Sequence, residues 1–326
     1  MKVLELHMIQ SIPSSNINRG EDGDTKTAIF GGTLRQRVSS QAWKRPIRMA
    51  IQKYCQENVK DFGKLSKNIE KRIQENCPTV NKTKLEKTLK GLGFNSDCLM
   101  YVSESEIQII SDYINGETEL VDKDIKNIFK TAKNQAAFDI ALFGRMFASS
   151  PELNVYGALK TSHAISTHTV ELEDDYFTAV DELDNCGAGH IGHSTFTSST
   201  MYRYYAIDLE QLKKNLNVDD ISEYIDIILK SIILAFPTGK ENSFAAYTRP
   251  SFVNVIVKNG QPYQFVNAFE KPVCAEGNGY IEPSINAYKE FKKNEMSFGF
   301  DEVFLDVEMD SEKNIQTISN LIKLVV

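Results

Sequence analysis

The sequence predicts a mixed α+β fold. Three observations carry that prediction. Runs rich in β-compatible apolar residues open the chain and return in its second half. A long middle stretch has helical apolar spacing. The order is strand, helix, helical insertion, strands, helix, strand. With the insertion set aside, that is a split β-α-β arrangement of ferredoxin or RRM type.

Residues 2–12 read as the first strand, with Val3, Leu4, Leu6, Met8, Ile9 and Ile12 as its apolar positions. Residues 13–27 (PSSNINRGEDGDTKT) are polar and turn-rich, hence a loop. Ser39 or Ser40 is placed to cap a helix whose apolar positions are 43, 47, 50 and 51. Pro46 lies inside it, removes a backbone donor and predicts a kink. Residues 58–147 read as mostly helical, most strongly 121–146, with apolar positions at 125, 128, 129, 132, 136, 137, 140 and 141. Residues 170–200 are acidic first, then rich in Gly, Ser and Thr, and predict a projecting hairpin. A strand at Met201–Leu209, a helix at Asp219–Phe236 and a strand at Phe252–Val257 follow, then a late helix near 284–293.

Charge is divided unevenly along the 326 residues. The chain carries a net −7. Yet residues 1–72 hold 14 basic and 7 acidic residues, and from Lys26 to Arg48 there are six basic residues and no acid. A basic groove on an acidic body fits this split. With no apolar run long enough for a membrane span and no signal-peptide pattern, the expected location is cytoplasmic. Five scattered cysteines without a C-x-x-C pair read as reduced thiols.

The chemistry-bearing candidates are few. Gln41, Lys44, Arg45 and Arg48 fall at i, i+3, i+4 and i+7, so they share one helix face. With Arg35, Arg37, Ser39 and Ser40 they suit a phosphate backbone, and the helix N-terminus adds backbone N–H donors. A solvated charged face is the plain alternative. Cys186, His190 and His193 form C-x3-H-x2-H, which lacks a fourth ligand for a closed zinc site; loop histidines are the favoured reading and no metal is expected. His163 and His168 are assigned to a strand edge. Asp22-Gly-Asp24 offers two carboxylates to a divalent cation, but Asp and Gly are also ordinary turn residues. Neither a phosphate-loop glycine pattern nor a nucleophile elbow nor a zinc-protease motif occurs, and no cofactor is expected.

The stretch SSNINRGEDGDTKTAIFGGTLRQRVSSQAWKRPIR (14–48) resembles the CasC family, the crRNA-binding backbone subunits of the type I-E CRISPR Cascade complex. The resemblance continues through DIALFGRM (139–146), SHAISTHTV (162–170), DYFTAVDEL (175–183) and GHIGHSTFTSSTMYRYYAIDL (189–209). FAAYTRPSFVNVIV (244–257) and VNAFEKPV (266–273) complete it, so the blocks cover nearly the whole chain in family order.

The resemblance implies a hand-like subunit. An RRM-like (ferredoxin-like) palm would comprise residues 1–57 and 161–326. Helical fingers would be inserted at 58–160, and a long thumb hairpin would span 170–200. Copies would form a helical filament along crRNA, with target DNA paired to the guide and other Cascade subunits attached. No catalysis is implied. The matching positions would make Arg19, Lys26, Arg35, Arg37, Ser39, Ser40, Gln41, Lys44, Arg45 and Arg48 the crRNA-binding set. Met146 and Thr178, with Phe177 beside it, would flank a displaced nucleotide. An apolar, sequence-indifferent wedge is what that position needs; without the family, Met146 reads as helix-end core packing.

Two features depart from the pattern. Pro46 stands where a plain helix former is usual, and the thumb has seven acids and no base from Glu171 to Asp184. Two other readings stay open. One is an RNA-guided nuclease using Asp22 or Asp24. The other is a crRNA-processing endoribonuclease, which would want a general base such as histidine near the RNA backbone, and no histidine lies in the basic segment.

Overall fold

The computed structural model describes all residues except 79, 93, 95–98, 117–135, 148–149, 181–187, 276 and 278, and the side chains of 180 and 188–190. Strand β1 (Lys2–Ser15) leads to β2 (Thr27–Phe30), β3 (Thr33–Val38) and helix α1 (Ser40–Glu57). Then come β4 (Gly63–Ser66), α2 (Ile69–Asn76), α3 (Lys82–Gly91), β5 (Met100–Ser103), α4 (Glu104–Asn115) and α5 (Phe138–Phe143). Strands β6 (Leu159–Thr161) and β7 (Ala164–Ser166) precede the pair β8 (Glu173–Val180) and β9 (Ala188–Asp208). The chain closes with α6 (Leu209–Leu216), α7 (Ser222–Ile233), α8 (Glu241–Phe244), β10 (Phe252–Asn259), α9 (Ile281–Ser297), β11 (Glu302–Glu308) and α10 (Ile315–Lys323).

These elements form two compact units. The first comprises Met1–Ile47, Thr161–Ala206 and Ile228–Val325; the second comprises Arg48–Lys160 and Ile207–Ile227, with the last residue. The first is built on a sheet of order β11-β10-β1-β9-β7-β3-β2, with β6 and β8 each pairing with β9 off that path. β1 lies inside the sheet, antiparallel to β10 from Lys2↔Asn259 to Ile9↔Phe252.

Residues 3–10 of β1 are all buried. The alternation visible in the sequence therefore does not separate a wet face from a dry one. Its polar positions find internal partners, as burial demands, except that His7 Nε2 has no hydrogen-bond partner among the described residues. Glu5 Oε1 accepts from Tyr204 Oη at 2.5 Å and from the Tyr263 backbone N–H at 2.7 Å. Its other oxygen faces the ammonium of buried Lys258 at 3.1 Å. Burial pushes the Glu5 carboxyl above the ordinary range, and Lys258 opposes that shift. His7 Nδ1 bonds Tyr202 Oη at 2.8 Å.

β8 and β9 make the long hairpin, from Glu173↔Phe196 to Val180↔Ala188. Residues 173–179 are exposed, as a projecting segment requires. Neither β11 nor α10 was anticipated from the sequence, which offered no element after the late helix.

In the second unit the stretch 58–147, expected to be mostly helical, carries α2, α3, α4 and α5 and also a strand pair that the sequence reading lacks. Strands β4 and β5 pair antiparallel, Gly63↔Ser103 to Ser66↔Met100. The helix expected at 121–146 lies outside the described residues up to 135. Beyond that, helix covers only Phe138–Phe143. A core of Ile69, Ile73, Leu85, Leu89, Val102, Ile107 and Ile110 with their neighbours joins α2, α3, β5 and α4. α4 starts with a full capping box: Ser103 Oγ accepts the Glu106 N–H at 3.1 Å and Glu106 accepts the Ser103 N–H at 2.9 Å. Glu106 is also paired with buried Arg145 at 2.6 Å. Among the described residues no helix is long and apolar enough to cross a membrane.

Candidate nucleic-acid interface

The site begins with the loop after β1. Its backbone doubles back on itself: Gly20 N–H donates to Asp24 O, and Lys26 N–H to Asn18 O, at 2.8 and 2.9 Å. It is then tied to β9. Asn16 Nδ2 donates to Thr195 O at 2.8 Å, and the Thr25 N–H to Thr195 Oγ1 at 3.0 Å. Both loop carboxylates serve this turn. Asp22 Oδ1 accepts the Asp24 N–H at 3.1 Å, and Asp24 Oδ1 accepts from Thr195 Oγ1 at 3.2 Å. Among the described residues no group of three His, Cys, Asp or Glu could hold a metal.

The loop sets the start of α1. Asn18 Oδ1 accepts the Ser39 N–H at 2.8 Å, and Ser39 Oγ accepts the Ala42 N–H at 3.4 Å. Ser39 is thus the N-cap, and it is buried. Ser40 and exposed Gln41 open the first turn. α1 is helical through Pro46 to Glu57. Trp43, Ile47 and Ile51 form its buried stripe. Arg45 is exposed, and Lys44 and Arg48 are half-buried. Burial lowers the Lys44 pKa.

Arg37 and Lys26 come beside this helix start through strand pairing: the Arg37 N–H donates to Lys26 O at 2.9 Å. Arg37 Nε also donates to Thr27 O at 3.3 Å. Arg19 is exposed in the loop, where it bridges Thr25. Arg48 belongs to the second unit, where its guanidinium lies 5.6 Å from the Tyr101 ring centroid. Tyr101 donates in turn to buried Asp139 at 2.5 Å.

The described cations divide into paired and unpaired ones, and the unpaired ones include residues outside this set, such as Lys67, Lys82 and Arg249. Lys53, Lys60, Lys64, Arg72, Arg145, Lys258, Lys289, Lys292 and Lys313 each face a carboxylate within 4.0 Å. Arg19, Lys26, Arg37, Lys44, Arg45 and Arg48 face none among the described residues.

Arg35 is placed differently from the other cations of the set. It is fully buried. Its guanidinium donates to Thr33 Oγ1 at 2.8 Å, Ser166 O at 2.9 Å, Phe269 O at 2.9 Å and Glu270 O at 3.2 Å. Those bonds clamp the hairpin of β2 and β3 to the turn at 266–270 and leave no fork for a phosphate. Gly31 permits the clamp: its φ is +57°, and a Cβ there would lie 1.7 Å from Glu270 O.

The sequence places His163 at a strand edge. It precedes β7, yet its Nδ1 accepts the Ser40 N–H at 3.2 Å, at the mouth of α1. Partial burial lowers its pKa, and Arg37 and Lys26 lower it further. A histidine therefore does stand beside the basic segment, brought there by β7 pairing with β3 at Arg37↔Ile165. His168 is buried, accepts the Thr200 N–H at 3.0 Å and stacks on Tyr280.

The wedge candidates are placed as follows. Met146 is 81% exposed, not packed in a core. Gly144 ends α5 at φ +73°, where a Cβ would meet Gly157 N at 2.6 Å. Arg145 then bridges Val155, and the Phe147 N–H donates to Asn154 Oδ1 at 2.6 Å. Both neighbours are buried and anchored, so Met146 alone is turned outward. On the hairpin, Thr178 opposes Ile191 and Phe177 opposes Gly192. Adjacent strand residues face opposite sides, so Phe177 and Thr178 do not share a face. The residues beside Thr178 are Tyr176 and Ile191, exposed by 64% and 59%. Cys186 and the His190 side chain lie outside the described residues, and His193 Nε2 faces Asp174 at 3.2 Å.

An antiparallel sheet carrying a long hairpin, and helical insertions in the chain, define the class: an α+β protein of the RRM-like palm, fingers and thumb type. The chain belongs to the CT1975-like protein family, whose model (Cas_CT1975) matches residues 4–323. Its fold is similar to a chain of a "CRISPR RNA-guided surveillance complex, pre-nicking", at TM-score 0.83 and 23% identity over 99% of both chains. A chain of another "CRISPR RNA-guided surveillance complex" aligns at TM-score 0.64 and 23% identity, over 99% of this chain and 98% of that one. No curated protein sequence matches at a significant level.

Proposed function

We propose that this chain is a backbone subunit of a type I-E Cascade complex. It oligomerises along crRNA in the cytoplasm, holds the RNA phosphates without sequence preference and presents the guide for pairing with target DNA. Base pairing then reads the sequence, and the protein reads only shape and charge. The observation that carries this reading is the clustering of cations, with no acid among them from Lys26 to Arg48, on the loop after β1, on β3 and on α1. Family membership and the likeness to chains of RNA-guided complexes support it. In this reading residues 1–57 and 161–326 are the palm, 58–160 the fingers and 170–200 the thumb. Arg19, Lys26, Arg37, Lys44, Arg45 and Arg48 face the backbone, with Ser40 and Gln41 beside them, while Met146 and Thr178 act as apolar wedges in the filament. The nuclease reading is disfavoured because Asp22 and Asp24 are already engaged in holding their loop.

The test is co-expression with a CRISPR array and the other subunits, followed by purification. We expect RNA of guide length to co-purify, with protection at regular intervals. Purified filaments carrying no RNA, or binding only one spacer sequence, would sink the proposal.

A further inference from the structure

The segment between α7 and β10 is strained and clamped, yet its centre is open to solvent. Lys240 and Ala245, which bracket α8, have φ of +47° and +45°. Side chains there crowd the following carbonyl, so such positions persist only where the surroundings enforce them. The enforcing contacts come from the chain in and just after β1 and from β9. A Cβ at Gly239 would lie 2.3 Å from Ile17 O. Phe244 packs near Phe196 at the root of the hairpin, with ring centroids 6.2 Å apart. Gln10 Nε2 donates to Thr248 O, and Thr248 Oγ1 to Ser11 O, both at 2.7 Å.

What this clamping holds out is an aromatic ring and a cation. Tyr247 is 50% exposed. It stands edge-on to Phe236 at 5.6 Å, and Phe236 stands edge-on to Trp43 of α1 at 6.1 Å. Trp43 is the direct neighbour of Lys44. Arg249 is exposed and faces no carboxylate among the described residues. A half-exposed ring held in place by a T-shaped contact offers π-surface to solvent, and a guanidinium two residues on suits a phosphate. That combination is how single strands are bound without sequence preference.

We propose that Tyr247 is a stacking platform for an unpaired base of the bound RNA strand, and that Arg249 contacts the adjoining phosphate. The proposal rests on the RNA-binding reading above. It adds a base contact to a site otherwise made of backbone contacts, and it explains why a strained turn is held at the thumb root.

The experiment measures binding of fluorescein-labelled single-stranded RNA to the full chain across a salt series. Thermal melting of each variant is recorded beside it. Tyr247→Ala is expected to weaken binding about 5- to 150-fold, the equivalent of ~1–3 kcal/mol per stacked base, with the salt slope unchanged. Tyr247→Phe is expected to bind as the parent does. Tyr247→Leu keeps apolar bulk against Phe236 but has no π-face, and should bind like Tyr247→Ala. Arg249→Ala should make the slope of log K against log salt shallower by about 0.7. Lys44→Ala serves as the reference. If it weakens binding while Tyr247→Ala and Tyr247→Leu do not, the platform is overturned and the RNA reading stands. If the parent binds no RNA, or Lys44→Ala changes nothing, both readings fall. Should Tyr247→Ala fail to fold, Tyr247→Leu against Tyr247→Phe decides: equal affinities overturn the platform.

Discussion

Arg35 and Lys44 are both basic residues of one segment, and they do opposite work. Arg35 spends its donors on four internal oxygens. Arg35→Ala strands the carbonyls of buried Ser166 and Phe269, each costing ~1–3 kcal/mol, so unfolding by denaturant should report a loss of about 2 kcal/mol or more. Arg35→Lys should recover little, because an ammonium cannot reproduce the fork. RNA affinity per folded molecule should stay unchanged in both. Lys44→Ala is expected to do the reverse: a stability change within about 0.5 kcal/mol, and a salt slope shallower by about 0.7. A large drop in melting temperature with normal RNA affinity would assign Lys44 to the core.

His163 adds a pH dependence whose sign can be worked out. Folding lowers its pKa through burial, then through Arg37 and Lys26. The unfolded chain therefore takes up the proton first as pH falls. The residue's contribution to stability is complete above the ordinary histidine value of about 6.5 and is lost as pH drops through that value to the folded one. A bound phosphate beside it acts oppositely, favouring the imidazolium. Protonation also removes the Nδ1 acceptor and frees the Ser40 N–H for the anion. RNA affinity should thus rise as pH is lowered from about 8 through the histidine range. His163→Gln should flatten that rise; a parent protein with a flat profile would refute the linkage.

At the scale of elements, the hairpin and its root must be separated. Beyond Ser194 the β9 strand is part of the interface loop's support, because Thr195 holds Asn16, Asp24 and Thr25. Its distal half is exposed and carries Tyr176, Phe177 and Ile191 to solvent. Replacing 175–192 by a short turn should therefore leave the melting temperature within a few degrees of the parent, while assembly along crRNA fails. Size-exclusion and negative-stain imaging check this; full-length filaments from the truncated chain would end the case for thumb-mediated assembly. Within the hairpin, Thr178→Glu should impair target hybrids without blocking assembly, since a charge cannot sit against stacked bases without losing water. Phe177→Glu, on the opposite face, should leave hybrids intact.

At the scale of the whole molecule, charge separation is the organising feature. The net −7 hides a basic first quarter. If four to six of the unpaired cations neutralise phosphates, the slope of log K against log salt should be roughly −3 to −4, using ~0.7 per contact for a single strand. The acidic hairpin, with no base from Glu171 to Asp184, repels RNA and attracts a basic surface. A second copy offers one, and a contact between unlike patches propagates into a helix unless its rotation closes a ring. Assembly without RNA should accordingly weaken as salt is raised, as sedimentation velocity would reveal.

What the sequence determined by itself was local periodicity and order. The i, i+3, i+4, i+7 spacing of Gln41, Lys44, Arg45 and Arg48 was readable because a helix repeats every 3.6 residues. The polar hairpin was readable because 170–200 cannot fill a core. Tertiary structure alone decided the rest. Arg35 and Arg37 share one face of a strand by their period of two, so no local rule separates them. Arg35 is buried because the turn at 266–270, more than 230 residues away, closes over it. His163 lies 123 residues from the Ser40 N–H that it accepts, a distance no motif spans. Strands β4 and β5 are four residues each and have too few positions to establish a period. Met146 read as core because helix spacing ran into it; Gly144, by taking a backbone angle closed to other residues, ended the helix and turned it out. Periodicity reports which side of an element a residue occupies, and only the packed chain decides what lies on that side.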